Sequence, residues 1–332
     1  MSELEDGVLQ VLITIDTEVY PLLPGWRDDG LRRDIDRDIY GLTPEGEVGL
    51  RHQVETFARH GIKAVFFVES LFAYFAGPGP LREMVGLIQG AGHEVQLHLH
   101  PEWLQWVDDP IMAFEGRETI REYSADEQSR LVGAALHNLR AAGAVDVCAF
   151  RAGDFAAGSD TLDALVRNGL RFDTSLNHHY PASLPELGAR RRETQPFAVR
   201  GLTELPVSYW HTPPMGSRPA QLTSASFAEM KASLLHAHRE GWAAFTIVSH
   251  SFELLRARRR NPARPVADPV AVSRLERLCE FLQRNPDRFR TCGFNDLRLP
   301  PPHAVPKPAL RSPLLRTLAR QAVQARRRLA RA

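Results

Sequence analysis

Cysteine is scarce in this chain. The three among 332 residues, Cys148, Cys279 and Cys292, have spacings that make neither a disulfide framework nor a zinc-finger pattern. Cys148 falls in an apolar run and reads as a small core residue. A long hydrophobic run is missing too, so no segment reads as a membrane span. The first residues, Met1-Ser2-Glu3-Leu4-Glu5-Asp6, are acidic and lack the basic-then-apolar order of a secretory signal. These two absences point to a cytoplasmic protein. An overall charge of one sign is also absent, with 41 Lys and Arg against 40 Asp and Glu. That balance hides an asymmetry. Eight basic residues (Lys307, Arg311, Arg316, Arg320, Arg326, Arg327, Arg328 and Arg331) lie after residue 300, where no acid occurs. The body is therefore acidic, which argues against nucleic acid as a partner.

Hydrophobic content of 43% and charged content of 24% are those of a globular chain long enough to bury a full core. Short apolar runs at 8–15, 63–68, 95–99, 147–150, 202–207 and 243–248 predict strands. Amphipathic stretches at 48–60, 80–89, 125–142, 160–168 and 226–240 predict helices, several of them ending at a glycine. Strands alternating with helices predict a mostly parallel sheet, open or closed into a barrel. Residues 20–46 and 108–124 break the alternation and read as lids or as plain surface insertions.

Five short segments carry the chemistry, each following an apolar run: Ile15-Asp16-Thr17-Glu18, His98-Leu99-His100-Pro101-Glu102-Trp103, Phe150-Arg151-Ala152-Gly153, Glu204-Leu205-Pro206 and Ser249-His250-Ser251. Their recurrence at strand ends favours the barrel, whose active sites form there. Residues two apart on a strand share a face, so Asp16 and Glu18 can point into one site, one binding a cation and the other accepting a proton. His98 and His100 can converge in the same way. Imidazole with carboxylate suits one divalent ion, zinc first, with Co, Ni or Fe as alternatives. Glu102 lies four residues after His98 and reaches the same region. Arg151 can pair with Asp16 and orient it, and His250 stands where a general acid would face the base. Trp103 is assigned to the substrate side. Read blandly, these segments are polar strand ends, a rim ion pair and an isolated histidine.

With these residues in place the sequence resembles the polysaccharide deacetylase family, the NodB-like carbohydrate esterases. Within it, the sequence is most similar to the branch associated with lipopolysaccharide biosynthesis. Ala64-Val65-Phe66-Phe67-Val68, Gly92-His93-Glu94-Val95 and Arg171-Phe172-Asp173-Thr174-Ser175-Leu176 share in the resemblance, which spans roughly residues 8–300. It implies an α/β fold, a distorted (β/α) barrel of about seven strands, and metal-dependent hydrolysis of an N-acetyl group on a sugar. Position by position it implies Asp16 as base, Glu18 and His98 as metal ligands, Arg151 as the tether of the base and His250 as general acid. Glu204, Leu205 and Pro206 resemble the segment lining the substrate groove. Two departures stand out. A threonine separates the two acids, which are adjacent in the family pattern. The family's second metal histidine, four after the first, is here Glu102. His100 has the right ligand type and Glu102 the right register, so both remain candidates for the third ligand.

The expected partner is an N-acylated amino sugar or glycan. The alternatives are a degenerate barrel that binds a glycan without hydrolysing it, and a deformylase of a lipid-linked amino sugar. Residues 1–300 would form the barrel domain and 301–332 a basic tail, set off by Pro300-Pro301-Pro302. Leu314, Leu315, Leu318, Ala322, Val323 and Leu329 fall near one helical face. That tail reads as a peripheral contact with the inner membrane surface, as a partner-docking helix, or as a solvated end.

Overall fold

The computed structural model describes residues 7–19, 30–107, 111–180, 187, 193–214, 216–258, 261–299, 307 and 309–329. The acidic start, the proline spacer at 300–302 and the openings of both expected insertions (20–29 and 108–110) lie outside the described residues. Nine strands build the main sheet: β1 (Leu9–Thr17), β2 (Val65–Glu69), β3 (Glu94–Leu99), β4 (Ala149–Ala152), β5 (Phe172–Asp173), β6 (Phe197–Val199), β7 (Leu202–Glu204), β8 (Ala244–His250) and β9 (Phe289–Thr291). Their order is β8-β1-β2-β3-β4-β5-β7-β6, with β9 beside the start of β1, and every pairing except β6 with β7 is parallel. Helices α1 (Leu50–Arg59), α2 (Gly79–Gly90), α3 (Ala125–Ala141), α4 (Ser159–Arg167), α5 (Phe227–Arg239) and α6 (Pro269–Gln283) lie between them in sequence, and α7 (Leu314–Leu329) follows. The fold is a distorted (β/α) barrel. No ladder joins β7 to β8. Irregular backbone closes that side, with Ser208 N donating to Thr246 O at 3.0 Å and Val248 N to Ala220 O at 2.9 Å.

The two faces of each strand explain why the sequence folds this way. β1, β2 and β3 are buried along their whole length, so both faces must be covered. Ile13, Ile15, Phe66, Val68, Val95 and Leu97 face the helix layer and join its core. The alternate residues point inward and change in character along each strand. Leu12, Val65, Phe67, Ala149 and Ala244 join Cys292 and Phe294 in an apolar floor, where Phe294 packs edge-on against Phe67 at 5.6 Å. Further along the inward faces come Asp16, Glu69, His98, Arg151 and His250. In register, Asp16 is level with His250 and His98 with Arg151. The polar end of the barrel is thus set by strand length and pairing alone.

Some expectations shift. The strand read from 147 starts at Ala149, because the Gln96 amide oxygen takes the N–H groups of both Cys148 and Ala149 at 2.7 Å, before the ladder begins. Strands β5, β6 and β9 and helix α6 add to the elements that the sequence predicts. Residues 30–39 pack as helical turns with Ile35 and Ile39 buried, Leu42–Thr43 then pairs antiparallel with Gly46–Glu47, and Arg37 pairs with Asp34 at 2.5 Å and Asp38 at 2.6 Å. All three cysteines are buried and free, and burial pushes the Cys148 thiol up to about 11.

Candidate active site

At the C-terminal ends of the strands a cleft of about 450 Å³ is lined by Asp16, Glu18, His98, His100, His250 and a rim that includes Asp154, Phe155 and Tyr180. Glu18, His98 and His100 come together so closely that one ligand atom from each lies within 4.8 Å of the others. His98 Nε2 is 3.1 Å and His100 Nε2 2.6 Å from the same oxygen, Glu18 Oε2. The far side of each ring fixes its tautomer. His98 Nδ1 donates to the Arg151 carbonyl at 2.8 Å, and His100 Nδ1 donates to the Glu102 carboxylate at 3.2 Å, so both Nε2 atoms turn towards Glu18. This donor set, two imidazole nitrogens and a carboxylate backed by hydrogen-bond acceptors, fits a divalent cation. Of the two candidates for the third ligand position, His100 faces the cluster and Glu102 stands behind it.

The electrostatics follow from this crowding. Burial works to raise the Glu18 carboxyl, but the charges and hydrogen bonds of His100 and His98 outweigh it and hold Glu18 well below the usual range. Burial works to lower His100, and Glu18 and Glu102 instead lift it well above the usual histidine value. A cation bound here would displace the protons shared among these groups.

Beside the cluster, Asp16 Oδ1 accepts from Arg151 Nη1 at 2.6 Å, in an ion pair that is almost wholly buried. Arg151 is itself held by Thr174, whose carbonyl and hydroxyl both accept from it at 3.3 Å, and by the Phe67 ring 4.5 Å beneath. Asp16 Oδ2 is 3.8 Å from His250 Nε2. His250 Nδ1 donates to Glu253 Oε1 at 3.1 Å, and Ser249 Oγ and the Gln221 amide also donate to Glu253. Burial would lower His250, yet the Glu253 bond and the charges of Glu253, Asp16 and Glu18 push it up to about 9.

Three residues assigned to substrate are placed elsewhere. Trp103 is buried against Phe72, with ring centroids 5.7 Å apart, and does not line the cleft. Glu204 is buried below it and accepts from Leu176 N at 3.0 Å, and Pro206 is buried beside it. The rim was not found from sequence. Asp154 and Phe155 both have positive φ, 53° and 56°, which turns the chain out of β4 and carries Phe155 to Tyr180, with ring centroids 5.2 Å apart. Glu253 left one legible trace, its position three residues after His250.

Compared by sequence, the chain matches no family model and no curated protein. Compared by structure, it is similar to a Mycobacterium smegmatis protein classed as a polysaccharide deacetylase, with 16% identity and a TM-score of 0.53 over 86% of this chain and 88% of that one. It is also similar to a 4-alpha-glucanotransferase from Thermococcus litoralis, with 10% identity and a TM-score of 0.53 over 92% of this chain and 42% of that one. At these identities the likeness is one of fold. The chain has the fold of a polysaccharide deacetylase, and it spans less than half of the glucanotransferase it resembles.

Proposed function

We propose that the protein is a metal-dependent N-deacylase acting on an acylated amino sugar of a surface glycan or its precursor. One observation carries this reading: the Glu18, His98 and His100 cluster adjoins an arginine-held aspartate that faces a histidine across the same cleft. A shared fold does not choose between deacylation and glycosyl transfer, so the site must. Glycosyl transfer uses two carboxyl groups flanking the scissile bond, one of them a protonated acid. Here Glu18 is held well below the usual carboxylate range by two histidines, and Asp16 is ion-paired with Arg151.

Glu18, His98 and His100 would hold the cation. A divalent ion there supplies Lewis acidity, polarising a carbonyl oxygen and acidifying water. Asp16 Oδ2 takes the proton of the water that attacks the amide carbon, while Arg151 fixes the other carboxylate oxygen. His250 delivers its Nε2 proton to the amide nitrogen as the C–N bond breaks, and Glu253 keeps the ring in the orientation that presents this proton. The products are a carboxylate and a free amino sugar. The apolar faces of Phe155 and Tyr180 at the rim suit a sugar ring.

Asp16→Asn is expected to retain metal binding and lose at least about a hundredfold in turnover, measured as carboxylate released from N-acetyl and N-formyl amino-sugar substrates. Full turnover in that variant would remove Asp16 as the base. Acetate or formate among the products identifies the acyl group.

A further inference from the structure

The last helix, α7, docks with its polar side inward. Thr317, Arg320, Gln321 and Gln324 recur at i, i+3, i+4 and i+7; the first two are buried and the others half-buried. Thr317 Oγ1 donates to Glu229 Oε1 at 3.0 Å, and Arg320 Nε lies 3.3 Å from Glu229 Oε2 in a buried ion pair. Arg320 Nη1 also donates to Gln324 Oε1 at 2.7 Å. Glu229 belongs to α5, where it closes the capping box with Ser226. A polar seam therefore seats the helix on the barrel and leaves its leucines outside. Leu314 is 42%, Leu315 78%, Leu318 44% and Val323 39% exposed, four of the nine exposed large hydrophobics among the described residues. An ordinary surface helix has the reverse arrangement, apolar face inward and polar face to water.

We propose that this outward face binds the surface of an anionic lipid bilayer, with α7 lying flat in the headgroup layer. Charge selects this occupant. Arg316 is exposed on the helix, the sequence continues into Arg326, Arg327, Arg328 and Arg331, and no acid occurs after residue 300. Leucines flanked by arginines and no acids match an interface that is apolar below and negatively charged above. A second copy of the chain fits less well, because a two-fold contact on this face would set two arginine-rich helices against each other. Among the described residues no helix is long and apolar enough to cross a membrane, so the helix rests on the bilayer.

The test uses the full chain in sedimentation with unilamellar vesicles, either of phosphatidylcholine alone or with about a third phosphatidylglycerol. Binding to the anionic vesicles is expected at low salt. It should fall at least about tenfold on neutral vesicles or at high salt. The double variant Leu315→Glu/Leu318→Glu should lose binding to the same extent with an unchanged melting midpoint, because both side chains are solvent-facing. Absence of binding to anionic vesicles, or equal binding to both kinds, overturns the proposal. A wild-type dimer in sedimentation equilibrium that this double variant dissolves overturns it too, and gives the face to a second copy.

Discussion

The His100 ring lies so close to Gly153 that a Cβ on residue 153 would sit 2.6 Å from its Cε1 and 2.7 Å from both ring nitrogens. The glycine of Phe150-Arg151-Ala152-Gly153 thus makes room for a proposed ligand that the sequence places more than fifty residues earlier. Gly153→Ala is expected to displace the ring and weaken metal affinity by about 10–100-fold, the range typical of lost ligand support, as read by calorimetric titration. Glu253 supports His250 in a similar way. Burial depresses His250 and Glu253 raises it, so Glu253→Gln should lower the histidine's pKa from about 9. A general acid must be protonated to act, so the alkaline limb of the kcat profile should move to lower pH while the acid limb stays. An unmoved alkaline limb would separate Glu253 from the acid. At this scale the sequence was legible where spacing alone fixes direction: Asp16 with Glu18 and His98 with His100 converge because they lie two apart at strand ends. Glu253, Phe155 and Tyr180 reach the site through turns and positive φ, which no periodicity announces.

At the scale of elements, β1, β2, β3 and β8 were readable from their density of apolar, β-branched and aromatic residues, which burial on both faces requires even where a polar residue such as Thr14 or Gln96 intervenes. β5 has two residues and β9 three, too short to show a period, and both hold their places through parallel pairing. The ends of β5 and β7 carry a buried acid pair. Asp173 and Glu204 are in register, and one oxygen of each accepts from Ser175 Oγ and Leu176 N respectively. The remaining oxygens, Asp173 Oδ2 and Glu204 Oε2, have no other partner, an arrangement that favours one proton held between the two acids. Burial, with the Asp173 charge next, raises Glu204 well above the usual range, and burial raises Asp173. The folded state keeps a proton that the unfolded chain releases near pH 4 to 5, so stability falls as pH rises from about that point towards the raised folded value. Glu204→Gln carries no such proton. Melting midpoints from pH 5 to 9 should fall less steeply in the variant than in the wild type. Parallel curves would show that the pair is not protonated.

For the whole molecule, the alternation of strands and helices was enough to expect a mostly parallel sheet, the recurrence of polar segments at strand ends favoured a barrel, and the charge count was enough to separate a basic end from an acidic body. The closure of the barrel by irregular backbone was not legible, because it depends on carbonyls and N–H groups rather than on side chains. Nor was the seating of α7. Its apolar spacing pointed to a membrane contact, a partner or a solvated end, and gave no sign of the Arg320 and Glu229 ion pair that seats the opposite side on the barrel. A likeness of fold does not choose a reaction, so the reaction rests on what the cleft binds. The direct measurement is calorimetric titration of the metal-stripped full chain with Zn²⁺, run beside His98→Ala, His100→Ala and Glu102→Ala. The expected result is one specific site, abolished in the first two variants and weakened about 10–100-fold in the third, where only the support behind His100 is removed. A wild-type chain that takes up no zinc at a specific site, nor Co²⁺ in its place, would contradict the metal-dependent reading.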